Sequence, residues 1–327
     1  MLDEGGGPPF SLPLLLRFPA LAWVPRVRLG TFPTPVQEVT LPDGRPLWIK
    51  RDDRSGAPLG GNKVRSLEFL LAGVTRGSEV VTTGARGSTH ALATAVYGGA
   101  LGAHVTVVRW PQEMNADATK VEAAIRLAAS ETRDRRTIVG ALFDAGVLRL
   151  VRRARWVPPG GTSAHGALGH VNAALELAEQ IAAGRLPAPA RIVVPLGSGG
   201  TAAGLALGLA IAGIEATVVG VTVAPGLVAN RRRVLAVATR AARLIERTAG
   251  VKVPRPDAAR VVVDREQYGG AYGRATEAGR KAAEWLAKRA GIPVDATYSA
   301  KALAAVMETR GSERTLFWLT FDGRALG

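Results

Sequence analysis

Residues 191–223 read RIVVPLGSGGTAAGLALGLAIAGIEATVVGVTV, and this stretch decides the fold. A short apolar run (191–196) is followed by Gly197-Ser198-Gly199-Gly200-Thr201. An Ala/Leu segment (201–212) and a second apolar run (216–223) come next. Strand, glycine loop, helix and strand in that order predict a βαβ unit in a parallel sheet. Glycines let the backbone approach an anion closely and adopt positive φ. The helix start adds unpaired N–H groups and a partial positive charge, so the loop is expected to hold a phosphate.

No lysine follows the glycines, which excludes a Walker A loop. Gly197, Gly199 and Ala202 satisfy the looser dinucleotide pattern, but the next strand ends Val221-Thr222-Val223-Ala224-Pro225 without the acid that would hold a ribose; Glu215 precedes it. A monophosphate cofactor fits better than a dinucleotide. A nicotinamide-dependent oxidoreductase, and a glycine turn that only packs a helix on a sheet, stand as alternatives. Residues 192–214 carry no charge over 23 positions, enough to span a bilayer. Pro195 and six glycines within that stretch favour a buried strand, loop and helix instead.

Outward from this unit the same alternation continues. Strands are expected at 79–83, 104–110 and 316–319, and helices at 89–101, about 113–129, 166–183 and 277–290. A basic, poorly patterned stretch precedes Arg155, and 231–256 is the least readable part. Residues 185–190 (RLPAPA) form a short connector. There is no internal repeat or heptad register.

At about 150 residues per domain, 327 residues suggest two domains. A 47% hydrophobic content supplies a large core. The net charge of +15 comes from 35 Arg and only 7 Lys, scattered through the chain with one run at Arg231-Arg232-Arg233. With aromatics at 5% and no cationic cluster, nucleic acid is not an expected partner, although the field would attract anions. The absence of cysteine excludes a thiolate nucleophile, a thiolate metal site and a disulfide framework. The acidic start MLDEGGGPPF and the short apolar patch at 12–16 argue against a secretory signal, so a cytoplasmic protein without a membrane anchor is expected.

Residues 50–71 read KRDDRSGAPLGGNKVRSLEFLL. Lys63 follows Gly60-Gly61-Asn62 and precedes an apolar segment that resembles the inner face of a helix. An ordinary lysine is protonated at neutral pH, and burial would be needed to free its amine as a nucleophile.

Together these segments resemble the D-cysteine desulfhydrase and 1-aminocyclopropane-1-carboxylate deaminase family of pyridoxal 5'-phosphate (PLP) enzymes. The resemblance runs in order from about residue 50 to 305. GGNKVR is similar to the family's Schiff-base segment, which assigns the covalent cofactor lysine to Lys63. GARGSTH (84–90) stands in place of GGIQSNH. GGTSAHGALGHVNAALELAEQ (160–180) resembles the lead into the central helix, and GSGGTAAGLALGL (197–209) the phosphate cup. GGAYGRAT (269–276) and DATYSAKALA (295–304) carry the two active-site tyrosines, Tyr272 and Tyr298.

The fold this resemblance implies is α/β, the two-domain tryptophan-synthase-β-like (fold type II) arrangement of three αβα layers with parallel-rich sheets. Residues 1–64 plus 176–327 would form the larger PLP-binding domain and 65–175 the smaller, with the cofactor in the cleft between them. Lys63, Ser88, Tyr298 and Tyr272 are the implied catalytic residues. Lys63, Asn62, Thr89, Gly197, Ser198, Gly199, Gly200, Thr201 and Ser299 would bind the cofactor. Ser88, Thr89, His90, Gly161 and Thr162 would meet a small amino-acid substrate. Ser88 also suits a helix cap, His90 a structural role, Asn62 the closing of a turn, and each tyrosine a place in the core. His165 and His170 show no metal spacing, so no metal is expected. Relatives imply a homodimer.

Departures from the family pattern are Thr89 for an asparagine, Gly87 for a glutamine, Ser66 for a second lysine, and Thr320-Phe321-Asp322-Gly323 for a T-G-G turn. Ser299 resembles the threonine of the desulfhydrases rather than the glutamate of the deaminases. The implied reaction is β-elimination from a D-cysteine-like amino acid, giving 2-oxo acid, ammonia and sulfide. The alternatives are aminocyclopropane carboxylate ring-opening, a specialised β-replacement or cyclising enzyme, and a non-catalytic anion-binding relative.

Overall fold

A computed structural model describes residues 12–311 and 313–326; the acidic start MLDEGGGPPF lies outside the described residues. The first part of the chain holds α1 (Pro13–Arg17), β1 (Val36–Thr40), β2 (Pro46–Arg51), α2 (Lys63–Leu70), β3 (Glu79–Ala85) and α3 (Thr89–Ala100). There follow β4 (His104–Trp110), α4 (Ala116–Ala128), β5 (Glu131–Asp134), α5 (Ile138–Val151), β6 (Arg155–Val157) and α6 (Ala164–Ala182). The last part is β7 (Arg191–Leu196), α7 (Gly200–Ala212), β8 (Thr217–Thr222), α8 (Arg231–Ala249), β9 (Val261–Asp264), α9 (Glu277–Ala290), α10 (Ser299–Glu308) and β10 (Thr315–Leu319).

The strands form two sheets. The larger runs β1-β2-β10-β7-β8-β9 and is parallel except for β1 against β2. The smaller runs β5-β4-β3-β6 and is parallel throughout. Helices α6, α7 and α8 bury one apolar core against the larger sheet, and α9 and α10 bury another. Helices α2, α3 and α4 cover one side of the smaller sheet, whereas α5 alone lies over Val81 and Val108 on the other. Each sheet is thus the middle layer of an αβα stack.

Local chemistry explains most boundaries. Ser88, Asn115, Thr137, Ser163, Asn230 and Thr276 each cap a helix by accepting a backbone N–H two or three residues inside it. Helix α7 carries no charge because it is buried against α6. A Cβ on Gly204 would meet Ala167 O at 2.6 Å and one on Gly208 would meet Val171 O at 2.7 Å, so only glycine permits that approach. Among the described residues, no helix is long and apolar enough to cross a membrane.

Two stretches differ from the sequence reading. The unpatterned stretch before Arg155 contains a strand and the 14-residue α5, and the least readable stretch contains the 19-residue α8. Helix α5 shows no period because it is apolar on both faces. Helix α8 does bury a helical repeat (Val234, Val237, Ala238, Ala241, Ala242, Ile245), which its arginine-rich start obscures.

Candidate active site

The carboxyl ends of strands from both sheets converge on one cavity of about 740 Å³. Its lining includes Thr83, Gly84 and Ala85 at the end of β3, Trp110 at the end of β4, Gly197 after β7, Ala224 after β8 and Thr320 after β10. A crevice at strand carboxyl ends is where α/β sheets place their ligands. Asn62, Lys63, Ser88, Thr89, His90, Gly197, Ser198, Gly199, Gly200, Thr201, Tyr272 and Tyr298 all face it. Gly161, Thr162 and Ser299 stand behind the lining. Thr162 Oγ1 donates to Ser198 Oγ at 2.6 Å, and Ser299 Oγ lies 3.4 Å from Thr320 Oγ1.

Two helix starts open on the cavity, and they differ. At α3 the Ser88 hydroxyl accepts from Ala91 N at 3.3 Å, so the protein caps its own helix. At α7 the cap residue is Gly199 at φ 91°, with no side-chain cap. Its first N–H groups are therefore left for an anion. The cup is shaped by what is missing: a Cβ on Gly160 would lie 2.0 Å from Ser198 Oγ, and one on Gly200 would lie 3.0 Å from Thr162 Oγ1. The Asn62 amide donates to Thr201 Oγ1 at 2.8 Å and fixes α2 to the cup.

Lys63 is the first residue of α2. Its Nζ donates to Gly160 O at 3.3 Å, and no carboxylate pairs with it among the described residues. Burial lowers its pKa to about 8, which frees a useful fraction of amine near neutrality. The helix behind it is held by a buried ionic cluster. Arg65 donates to Asp52 and Glu176, Lys50 Nζ donates to Glu176 Oε1 at 2.5 Å, and Trp318 Nε1 donates to Asp52 Oδ2 at 2.8 Å.

Two histidines near the lysine are neutral. Burial, with the neighbouring Lys63 charge, lowers His90 to about 3 and His170 well below its usual range. His90 Nε2 lies 3.2 Å from Thr82 Oγ1. His170 Nε2 lies 3.0 Å from Ser66 Oγ and 3.3 Å from Thr201 Oγ1, so Ser66 links α2 to the cup through an imidazole. His165 is exposed and stands apart. No cluster with metal-ligand geometry occurs among the described residues.

Tyr272 and Tyr298 share a hydroxyl–hydroxyl hydrogen bond, with rings crossing edge-on at 70°. Burial raises Tyr298 to about 12 and Tyr272 well above its ordinary value, so both phenols stay protonated. Tyr298 also bonds Thr89, which joins the second tyrosine to the α3 start.

Several residues in and around the cavity were not singled out from the sequence. Thr320 O accepts from Asn62 N at 2.9 Å, and Arg233, within the run read as solvated surface, donates to Ser198 O at 3.0 Å. Lys301, lowered by burial to about 8, anchors the tyrosine loop by donating to Tyr268 O at 2.7 Å. Arg136, Thr137 and Ile138 form part of the mouth.

Comparison with known proteins assigns this site to a class. Residues 27–320 match the family described as pyridoxal-phosphate dependent enzyme, and the chain belongs to that family. It is 35% identical to a nocardicin C-9' epimerase of Nocardia uniformis subsp. tsuyamanensis, over 93% of this chain and 94% of that one. It is 32% identical to a D-cysteine desulfhydrase of Salmonella choleraesuis (strain SC-B67), over 89% and 90%. A crystal structure of an ACC deaminase homologue superposes with a TM-score of 0.78 at 31% identity, covering 94% of both chains. A bacterial-type threonine deaminase structure from T.th., at 23% identity and a TM-score of 0.64 over 97% of this chain and 99% of that one, shares the fold.

The protein is therefore a PLP-dependent enzyme of the lyase and deaminase kind, with the fold type II architecture, and the nicotinamide alternative is set aside. The residues present suit the cofactor: an uncapped helix start with a glycine cradle for the phosphate, and beside it a lysine without a counter-ion.

Proposed function

We propose that the enzyme acts on a small amino acid, D-cysteine-like first, removing the Cα proton and expelling a β-substituent. One observation carries this reading: a single cavity joins an unpaired, buried lysine to a glycine-rich helix start that lacks its own cap. The D-cysteine desulfhydrase relatives support the substrate class.

Bound PLP supplies the electron sink for chemistry at Cα. Gly197, Ser198, Gly199, Gly200 and Thr201 would hold its phosphate, with Asn62, Thr89 and Ser299 bordering the ring. Lys63 would attach the cofactor covalently and, once released, take the Cα proton as a base of pKa about 8. Ser88, Thr89 and a neutral His90 would receive the substrate carboxylate at the start of α3, with Gly161 and Thr162 bracing the cup from behind. The Cβ–sulfur bond breaks with its electron pair on sulfur. The protonated Tyr298 and Tyr272 would donate to that leaving group. Hydrolysis then releases ammonia, so cysteine and water give pyruvate, sulfide and ammonia. Ser299 offers a hydroxyl where a carboxylate would hold a ring-nitrogen proton, which favours elimination over ring-opening.

The proposal places the cofactor between two domains, 1–64 with 176–327 and 65–175; the two separate sheets support that division. Helix α6 packs into the larger core from Ala167 onward, which favours a boundary nearer residue 160. A cytoplasmic homodimer belongs to the same proposal and rests on the resemblance.

The breadth of the cavity favours a second reading. Pockets of about 300–1,000 Å³ accept ligands far larger than cysteine, and the outer wall here adds Tyr268, Leu227, Ile138 and an exposed Arg136. Cα epimerisation of a larger amino acid, in line with the epimerase relative, would use Lys63 on one face of Cα and a tyrosine or Ser88 on the other.

Incubation of PLP-loaded enzyme with D- and L-amino acids in deuterated water separates the readings. Equal release of keto acid, ammonia and sulfide from D-cysteine is expected. Turnover of aminocyclopropane carboxylate but not D-cysteine would reverse the ranking. Inversion with deuterium at Cα and no ammonia would select epimerisation.

A further inference from the structure

Helix α5 has two apolar sides. Ala141, Ala145 and Leu148 pack on Val81, Val108 and Ala154 of the smaller sheet. On the outer side Phe143 is 74% and Leu150 79% exposed, with Ile138, Val139, Leu142, Val147 and Val151 also open. These seven side chains present on the order of 800 Å² of apolar surface, whereas a soluble monomer rarely shows a patch above a few hundred Å². About 800 Å² is also what one partner contributes to a standard interface. Trp110 and Trp156 lie half-buried beside the helix.

The face is self-complementary. Val139, Phe143, Gly146 and Leu150 fall at i, i+4, i+7 and i+11, a straight seam along the helix. A Cβ on Gly146 would meet nothing within 4 Å, so the seam has a notch at its centre. In an antiparallel pair about a two-fold axis, Phe143 of each copy would enter the Gly146 notch of the other and Val139 would meet Leu150. Arg149, the one charged residue on the outer side, would face Gly140 across the pair, so the two guanidinium groups stay apart. With a charge of +15 on each copy, association has to come from apolar area of this kind.

We propose that α5 is the contact between two copies of this chain. Such a contact is isologous, the form a two-fold dimer requires. It would also brace the cavity mouth, because Arg136, Thr137 and Ile138 at the α5 start line it. This pairing is independent of which amino acid the enzyme takes.

Light scattering and sedimentation of the PLP-loaded enzyme test it. The wild type is expected at twice 34.1 kDa. The double variant Phe143→Glu/Leu150→Glu is expected to fall to monomer, with at least a 100-fold weaker dimer constant and an unchanged circular dichroism spectrum. Leu127→Glu, at another exposed apolar position on α4, should remain dimeric. Since the chain has no cysteine, Phe143→Cys/Gly146→Cys should give a disulfide-linked dimer on oxidation, a readout that does not depend on destabilising anything. A monomeric wild type, or a dimer that survives the glutamates and does not cross-link, would overturn the proposal. So would a monomer that sediments with phosphatidylserine vesicles through this face.

Discussion

Lys50 and Lys63 lie thirteen residues apart, and both are withdrawn from bulk water, yet their surroundings are opposite. Lys50 Nζ donates to Glu176, Gln180 and the Thr34 carbonyl; burial draws its pKa down while Glu176 draws it up. Lys63 reaches a single backbone carbonyl, and burial alone acts on it. A cation enclosed by carboxylates is a structural strut. A cation left without them is held ready to lose its proton, and the strut region supplies the rigidity that keeps it in place through Arg65 on the same helix.

The largest contrast should come from removing each amine. Lys63→Met should lower turnover about 10³-fold or more, within the range a positioned base contributes, while leaving the fold intact. Lys50→Met should destabilise the protein by about 3–5 kcal/mol, because a buried carboxylate loses its partner, and the folded fraction should still bind cofactor at Lys63. Chemical denaturation and steady-state rates on the two variants distinguish these outcomes. Equal loss of stability in both would break the comparison.

Next in size is pH. The folded pKa of Lys63 lies at about 8, below its ordinary 10.5. In between, the unfolded chain binds a proton that the folded apoprotein does not, so stability rises with pH across that window and the burial penalty is fully present below it. Lys63→Met should remove that rise. Covalent capture of PLP should slow about tenfold per unit as pH falls below 8, as expected for a free-amine nucleophile. Rates flat from pH 6 to 9 would contradict an unpaired lysine.

The smallest effect sharpens the cup. Gly160→Ala forces a side chain to φ 67° and into Ser198 Oγ. It should weaken PLP binding roughly tenfold, about 1.4 kcal/mol, within the strain range of such backbone positions. Equilibrium dialysis measures it, and an unchanged affinity would detach the cup from the phosphate.

How much of this was legible in the sequence follows the same division. Gly197–Thr201 and Lys63 could be read because their chemistry is local: a glycine loop between strand and helix, and a lysine at a glycine turn. The cluster around Lys50 could not, since Glu176, Gln180 and Trp318 arrive from more than a hundred residues away. Thr320 and Arg233 were missed for the same reason. Helix α5 escaped because two apolar faces leave no period, and with it went the wall formed by Arg136 and Ile138. Helix α8 is different: its buried Val, Ala and Ile positions carry a helical repeat that the three leading arginines masked.

Borohydride reduction of the PLP-loaded enzyme, followed by peptide mapping, addresses the central assignment most directly. The account predicts a single reduced pyridoxyl adduct on the peptide containing Lys63. A label on Lys50 or Lys301, or none at all, would contradict it.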